Sequence, residues 1–180
     1  MKKYESAAKN KFLNEFPTCS LDSLDNEITS RCKFNFSYFH PAKPAQDFQD
    51  WTKDQLEGLL NKLKEYSKHT LSYWRNQSSG RLFTVYGNYP ENTDFPRPQH
   101  VPAEAQWARF RLESKIRLVG FVIPGNFDAK LHPVTKCHFD CNTFYVVFLD
   151  ANHQFYKTEK NKFFGREQLA GWGERSDSHH

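Results

Sequence analysis

The chain has 180 residues, 17 of them Phe and one Met, with a formal net charge of +4. That length allows one domain with a real core and excludes two ordinary ones, and the ring-rich composition predicts a core of aromatic side chains supplemented by Leu, Ile and Val. No apolar run approaches the roughly 20 residues needed to cross a bilayer and Met1-Lys-Lys-Tyr-Glu5 lacks the apolar segment of a secretory signal, so a cytoplasmic protein without membrane partners is expected, with Cys19, Cys32, Cys137 and Cys141 as thiols.

Residues 3–16 place Tyr4, Ala7, Ala8, Phe12, Leu13 and Phe16 in an amphipathic helical pattern stopped by Pro17. A polar loop follows to Ser30. Lys33-Phe-Asn-Phe-Ser-Tyr-Phe39 alternates rings with small polar residues, which predicts a half-buried edge strand or extended arm ended by Pro41 and Pro44. Residues 1–50 thus read as an N-terminal extension to an α+β core over 51–170, with 171–180 as a tail. The core opens at Thr52-Lys-Asp-Gln55, which has the capping-box form. Leu56, Leu59, Leu60, Leu63 and Tyr66 continue at helical spacing as a stripe to pack on a sheet. A second short helix, starting at Ser67 or Thr70 and containing Leu71, Tyr73 and Trp74, ends before Ser78-Ser-Gly80.

Arg81–Tyr86 is predicted as a strand closed by Gly87-Asn-Tyr-Pro90. The Pro-, Asn- and Asp-rich stretch over 90–102 is expected to be an exposed loop, long enough to suggest binding. An antiparallel meander follows over 107–112, 116–123 and 143–149, with a final short strand over 154–156. The 124–142 connection is a loop and 160–169 a candidate terminal helix. Gly120 inside a strand marks a bulge or a close backbone approach. The helix leucines are expected against Phe110, Val119, Phe121, Val146 and Phe148.

Basic residues gather beside these strands: Arg109, Arg111, Lys115 and Arg117 stand against Glu113 alone, and Lys157, Lys160, Lys162 and Arg166 against Glu159. That placement suits RNA or the ribosome as partner. Trp107, Arg109 and Arg111 share one strand face, where guanidinium groups bind phosphates and a Trp stacks on an unpaired base. The same pattern also describes a solvated sheet face with Trp107 as a lid on the core. Asp150-Ala-Asn-His153 has the form of a tight turn held by local side-chain hydrogen bonds. RNA cleavage by its own 2′-hydroxyl needs a base, an acid and cations on the phosphorane. His153 can move the proton, Arg109, Arg111 and Arg117 can hold the phosphate, and Tyr156 can stack on a base or act as acid. A turn-capping His and a Tyr packed at a strand end remain the structural account of that pair.

His132, Cys137, His138 and Cys141 are four possible zinc ligands, but a single close Cys pair without a second one reads as a metal-free hairpin loop. No metal or other cofactor is expected. Glycine-rich phosphate loops, dinucleotide fingerprints, nucleophile elbows and H-E-x-x-H helices are missing from the sequence. Nucleotide hydrolysis, redox chemistry and serine hydrolysis are therefore disfavoured.

The succession of an Arg-rich strand, Phe144-Tyr-Val-Val-Phe-Leu-Asp150 and then His153-Gln-Phe-Tyr156 resembles the C-terminal half of the RelE/ParE/HigB toxin superfamily. The likeness covers 52–157 in order of elements and 107–156 in residue pattern. It implies N-terminal helices packed on a small antiparallel sheet, a metal-independent endoribonuclease of a bacterial or phage conflict system, and a cognate antitoxin. The first 50 residues, the 90–102 loop, the 124–142 connection and the two-residue spacing of His153 and Tyr156 depart from that pattern. The alternative is a non-catalytic interaction module docking a protein through the aromatic strand over 34–39 and the loop over 90–102.

Overall fold

Arg117-Leu-Val-Gly-Phe-Val122 is buried along its whole length, which requires cover on both faces of a sheet. The computed structural model of the chain places this run at the centre of five strands. It describes residues 27–77 and 82–157, with 9, 11, 12, 15 and 20–23. The predicted helix over 160–169 and the tail lie outside the described residues, as does most of the predicted helix over 3–16.

The elements are β1 (Lys33–Asn35), α1 (Lys53–Tyr66), α2 (Leu71–Asn76), β2 (Phe83–Gly87), β3 (Gln106–Arg111), β4 (Arg117–Val122) and β5 (Thr143–Asp150). The sheet order is β1-β5-β4-β3-β2. β2 to β5 form an antiparallel meander, whereas β1 pairs parallel to β5, so the α+β fold carries a mixed sheet and not the expected antiparallel one. The chain leaves β1 at one sheet edge and reaches β2 at the other, and the helices occupy that connection. No helix among the described residues is long and apolar enough to cross a membrane.

The first helix begins at its predicted cap, and the second at Thr70, the later of its two candidate starts, Ser67 instead ending the first helix. The Thr52 side chain accepts from the Gln55 amide while Gln55 returns the bond to the Thr52 amide, and Thr70 accepts from the Tyr73 amide. Each cap satisfies amides that the first helical turn would otherwise leave orphaned. On α1, Leu59 and Tyr66 are buried, with Leu56 and Leu63 half-buried beside them. Leu60 is 65% exposed, contrary to expectation. It lies about 100° around the helix from Leu59 and falls off the stripe. Leu59→Ala should therefore cost about 2–5 kcal/mol in urea unfolding, and Leu60→Ala no more than about 0.5 kcal/mol. Equal costs at the two sites would contradict this orientation of α1.

The sheet separates two cores. Tyr66 stacks on Phe110 at 4.6 Å on the helix side, where Phe83, Leu118, Phe144, Val146 and Leu149 also pack. Val119, Phe121 and Phe148, expected under the helix leucines, face the other side with Trp107, Phe95 and Phe155. The predicted exposed loop is that side's cover: Phe95 is 4% exposed, meets Phe148 at 4.9 Å, and its carbonyl accepts from the Tyr89 hydroxyl at 2.8 Å. Residues 154–156 form no strand, yet Phe155 is sealed into the same core.

A bulge explains the face assignments. Val119 opposes Phe148 and Gly120 opposes Val146, which leaves Val147 as the extra residue of β5. Val147 and Phe148 consequently share the loop-side core although they are adjacent in sequence. Beyond the bulge the alternation is inverted. Asp150, which would otherwise follow Phe144 and Val146 onto the helix side, joins the face of Arg117.

Candidate nucleic-acid interface

Three strands contribute a cross-sheet row at one corner: Arg111 on β3 opposes Arg117 on β4, which opposes Asp150 on β5. Directly opposed residues hold their Cβ atoms about 4.5–5.5 Å apart, and two like charges so placed repel. Arg109, paired with Val119, lies diagonally from Arg117 on the same face. Arg111 and Lys115 are exposed and Arg109 half-buried. The Arg109 Nε donates to the Tyr86 hydroxyl at 2.8 Å, and Tyr156 stacks on Tyr86 at 4.6 Å with only 4° between the rings.

Arg117 forms a more enclosed part of the corner, 8% exposed, with Nη1 donating to the carbonyls of Ser114 and Ile116 at 2.8 Å. Its Nε is buried without a hydrogen-bond partner among the described residues. Burial, followed by the charges of Arg109 and Arg111, lowers its pKa from the ordinary guanidinium value. The carboxylate opposite does not cap it with an ion pair. Asp150 is 1% exposed and spends its oxygens on the chain that follows: Oδ1 accepts from the Asn152 and Gln154 amides at 3.2 and 3.0 Å, and Oδ2 from Phe155 at 3.0 Å.

This is the turn that the sequence of Asp150–His153 predicts, and it sets the backbone of His153. That residue has φ 58°, in the left-handed region where a β-carbon is crowded. His153 is half-buried, and its pKa is held below the ordinary imidazole value by burial first and then by Arg117 and Arg109. The ring is therefore neutral at pH 7, the form in which it accepts a proton.

The geometry thus gathers Arg109, Arg111, Arg117, His153 and Tyr156 at one end of one sheet face, with Lys115 in the adjoining turn. It does not bring Trp107 to that surface. The strand alternation does place Trp107 on the arginine face, but its ring is 2% exposed, boxed by Tyr89 at 4.8 Å and Phe155 at 5.5 Å. Trp107 belongs to the core. Sequence reading missed Tyr86, whose place beside Arg109 depends on a β2–β3 register that shifts between Val85 and Gly87.

In the 124–142 connection, Leu131 and His138 form an isolated bridge, and the His132 Nδ1 accepts from the Thr135 amide at 3.2 Å. No group of three or more His, Cys, Asp or Glu among the described residues is placed to hold a metal ion. No protein-family model, curated protein or solved structure matches this chain, so the reading of the corner rests on its own geometry.

Proposed function

We propose that the protein binds RNA through phosphates held at Arg109, Arg111 and Lys115, over the enclosed Arg117, and that it cleaves the strand there without a metal. One observation carries the proposal: the Arg111–Arg117 pair is forced together across β3 and β4 while the facing carboxylate of Asp150 is committed to backbone amides. An arrangement that opposes two cations weakens the sheet, and a bound anion relieves it. Cleavage by the 2′-hydroxyl then needs a base for that proton and an acid for the leaving 5′-oxygen, and neutral His153 beside the arginines supplies the base. Arg109, Arg111 and Arg117 stabilise the charge of the phosphorane. Tyr156, 41% exposed and stacked on Tyr86, can carry a base or deliver the proton to the leaving oxygen. On this reading the resemblance to the RelE-like toxins extends to function, with the ribosome as a site of action and an antitoxin as protein partner.

The interaction-module alternative has less support. Phe34, Phe36 and Phe39 pack against the helix-side core and Phe95 is sealed into the loop-side core, so the rings that would anchor a partner are already engaged.

The reading is tested by fluorescence anisotropy on short single-stranded RNA across a salt series. Affinity should fall steeply with salt, and Arg111→Glu should weaken binding to many sequences alike while flattening the salt slope by about one or more. His153→Ala should leave binding nearly intact and slow cleavage by about 10²–10⁴-fold. The cleavage rate should rise with pH through an inflection below the ordinary imidazole value, because the lowered His153 pKa makes the base available there. Absence of salt-sensitive RNA binding, free or with ribosomes, rejects the whole reading. Binding without cleavage rejects only its catalytic half.

A further inference from the structure

The opposite end of the same sheet face has a different chemistry. A cavity of about 450 Å³ opens there, bounded by Tyr38, Tyr145, Phe127, Phe139, His132 and Glu104. Its size falls in the range of small-molecule pockets. The rings are set at steep angles to one another: Tyr38 meets Tyr145 at 86°, and Phe127 meets Phe139 at 80°. In such pairs the edge of one ring meets the face of the other, and Phe121 covers one face of Tyr145 by stacking at 4.9 Å, so part of the ring-face area is engaged within the protein and the remainder is the negative pole of each quadrupole.

Charge points the same way. Glu104 is the acid of the lining, and among the described residues no lysine or arginine lines the cavity. The Tyr145 hydroxyl is pushed up by burial and then by Asp140, Tyr38 and Cys141, and the Cys141 thiol by burial and then by Asp128 and Asp140. Of these neighbours, Asp128 and Asp140 carry negative charge at neutral pH, while the Tyr38 phenol and the Cys141 thiol are neutral. Lys33 pairs with Asp140 at 2.5 Å, but on an exposed surface where solvent screens the pair. The Lys130 ammonium sits 4.2 Å over the centroid of Phe127, so it takes one face of that ring, leaves only the other to a ligand, and opposes the carboxylates as a positive charge beside the cavity.

We propose that this aromatic cavity binds a small organic cation of the alkylammonium class, held by the faces of Tyr38, Tyr145, Phe127 and Phe139 with Glu104 as counter-charge. Aromatic enclosures recognise such groups because the methylated ammonium sheds its water readily and is attracted to several ring faces at once. The site is separate from the arginine corner, which repels cations, and it does not depend on the RNA reading.

The probes are choline, tetramethylammonium and 3,3-dimethylbutan-1-ol, the uncharged isostere of choline, each titrated by NMR into the full-length protein. Both cations should shift the resonances of Tyr38, Phe139 and Tyr145 and bind about tenfold more tightly than the alcohol. Phe139→Leu, which keeps apolar bulk but removes a quadrupole, and Glu104→Gln, on an exposed side chain, should each weaken choline severalfold and leave the alcohol unchanged. A trimethyllysine tripeptide identifies the source of the group: tighter binding than choline assigns it to a modified protein side chain, weaker binding to a free metabolite. Equal affinity for choline and the alcohol, or choline binding indifferent to both variants, overturns the proposal, as does the absence of shifts with either cation. RNA binding is unaffected by any of these outcomes.

Discussion

Gly120→Ala should be among the most damaging single-methyl substitutions in this protein, costing about 3 kcal/mol or more. A β-carbon at position 120 would lie 2.0 Å from the carbonyl oxygen of Tyr145 and 2.9 Å from its carbon. Those are backbone atoms of the neighbouring strand, so no rotamer change makes room. The strand at fault is the central one, and its displacement would be felt by β3 and β5 together. At about 2–4 °C per kcal/mol for a chain of this size, the melting temperature should fall by on the order of 10 °C. Gly58→Ala is the control. Its β-carbon would meet nothing closer than 3.6 Å, and it sits inside α1, where alanine is favoured over glycine by about 0.5–1 kcal/mol. Thermal unfolding followed by circular dichroism should thus move in opposite directions for the two variants, and a Gly120→Ala protein as stable as the parent would refute the close strand approach. The same substitution strikes the bulge that turns Asp150 toward Arg117, so the proposed RNA cleavage, if present in the parent, should decline with the fold.

What was legible in the sequence was local. Thr52 and Thr70 announce their helices because a hydroxyl within reach of an amide three residues on is a self-contained signal. The Asp150 turn is legible for the same reason, and Gly120 because a glycine inside a strand run stands out as a bulge or a close approach. The faces were harder. Side-chain alternation places Trp107 with Arg109 correctly, but whether a face is open depends on what covers it, and Phe95 reaches that face from a loop whose composition reads as solvated. One inserted residue in β5 reverses every assignment after it, and a single sequence contains no marker that singles out Val147. The parallel pairing of β1 with β5 joins residues more than a hundred positions apart. Only tertiary packing specifies such a contact. Convergence at the arginine corner inherits both kinds of information: the residue types were visible, while their common side of the sheet was set by register and bulge.

Asp150→Ala should cost on the order of 3–5 kcal/mol, comparable to breaking a buried ion pair from one side. The carboxylate is 1% exposed and serves three amides, so its removal leaves donors in a turn that closes over the loop-side core. Each unsatisfied buried donor costs about 1–3 kcal/mol, and Phe155 loses the bond that holds its ring among Trp107, Phe148 and Phe95. Arg117 also loses the nearest compensating charge on the row. Asp150→Asn separates these effects. Its one carbonyl oxygen can still accept from Asn152 and Gln154, but its amide group faces the Phe155 N–H with a donor, so stability should fall by less than in the alanine variant. The charge is lost in both. Because the Asp150 carboxylate is the influence that raises the His153 pKa against burial and the arginines, the asparagine variant should titrate His153 at still lower pH, read from the imidazole resonances by NMR. If the corner binds RNA as proposed, affinity should be maintained or strengthened in that variant, since all three arginines remain and a negative charge on the row has gone, while cleavage should persist because the Asn152 and Gln154 bonds that flank His153 and its φ of 58° are kept. A loss below about 1 kcal/mol in Asp150→Ala, or a His153 titration that moves upward in Asp150→Asn, would show that this carboxylate does not organise the corner.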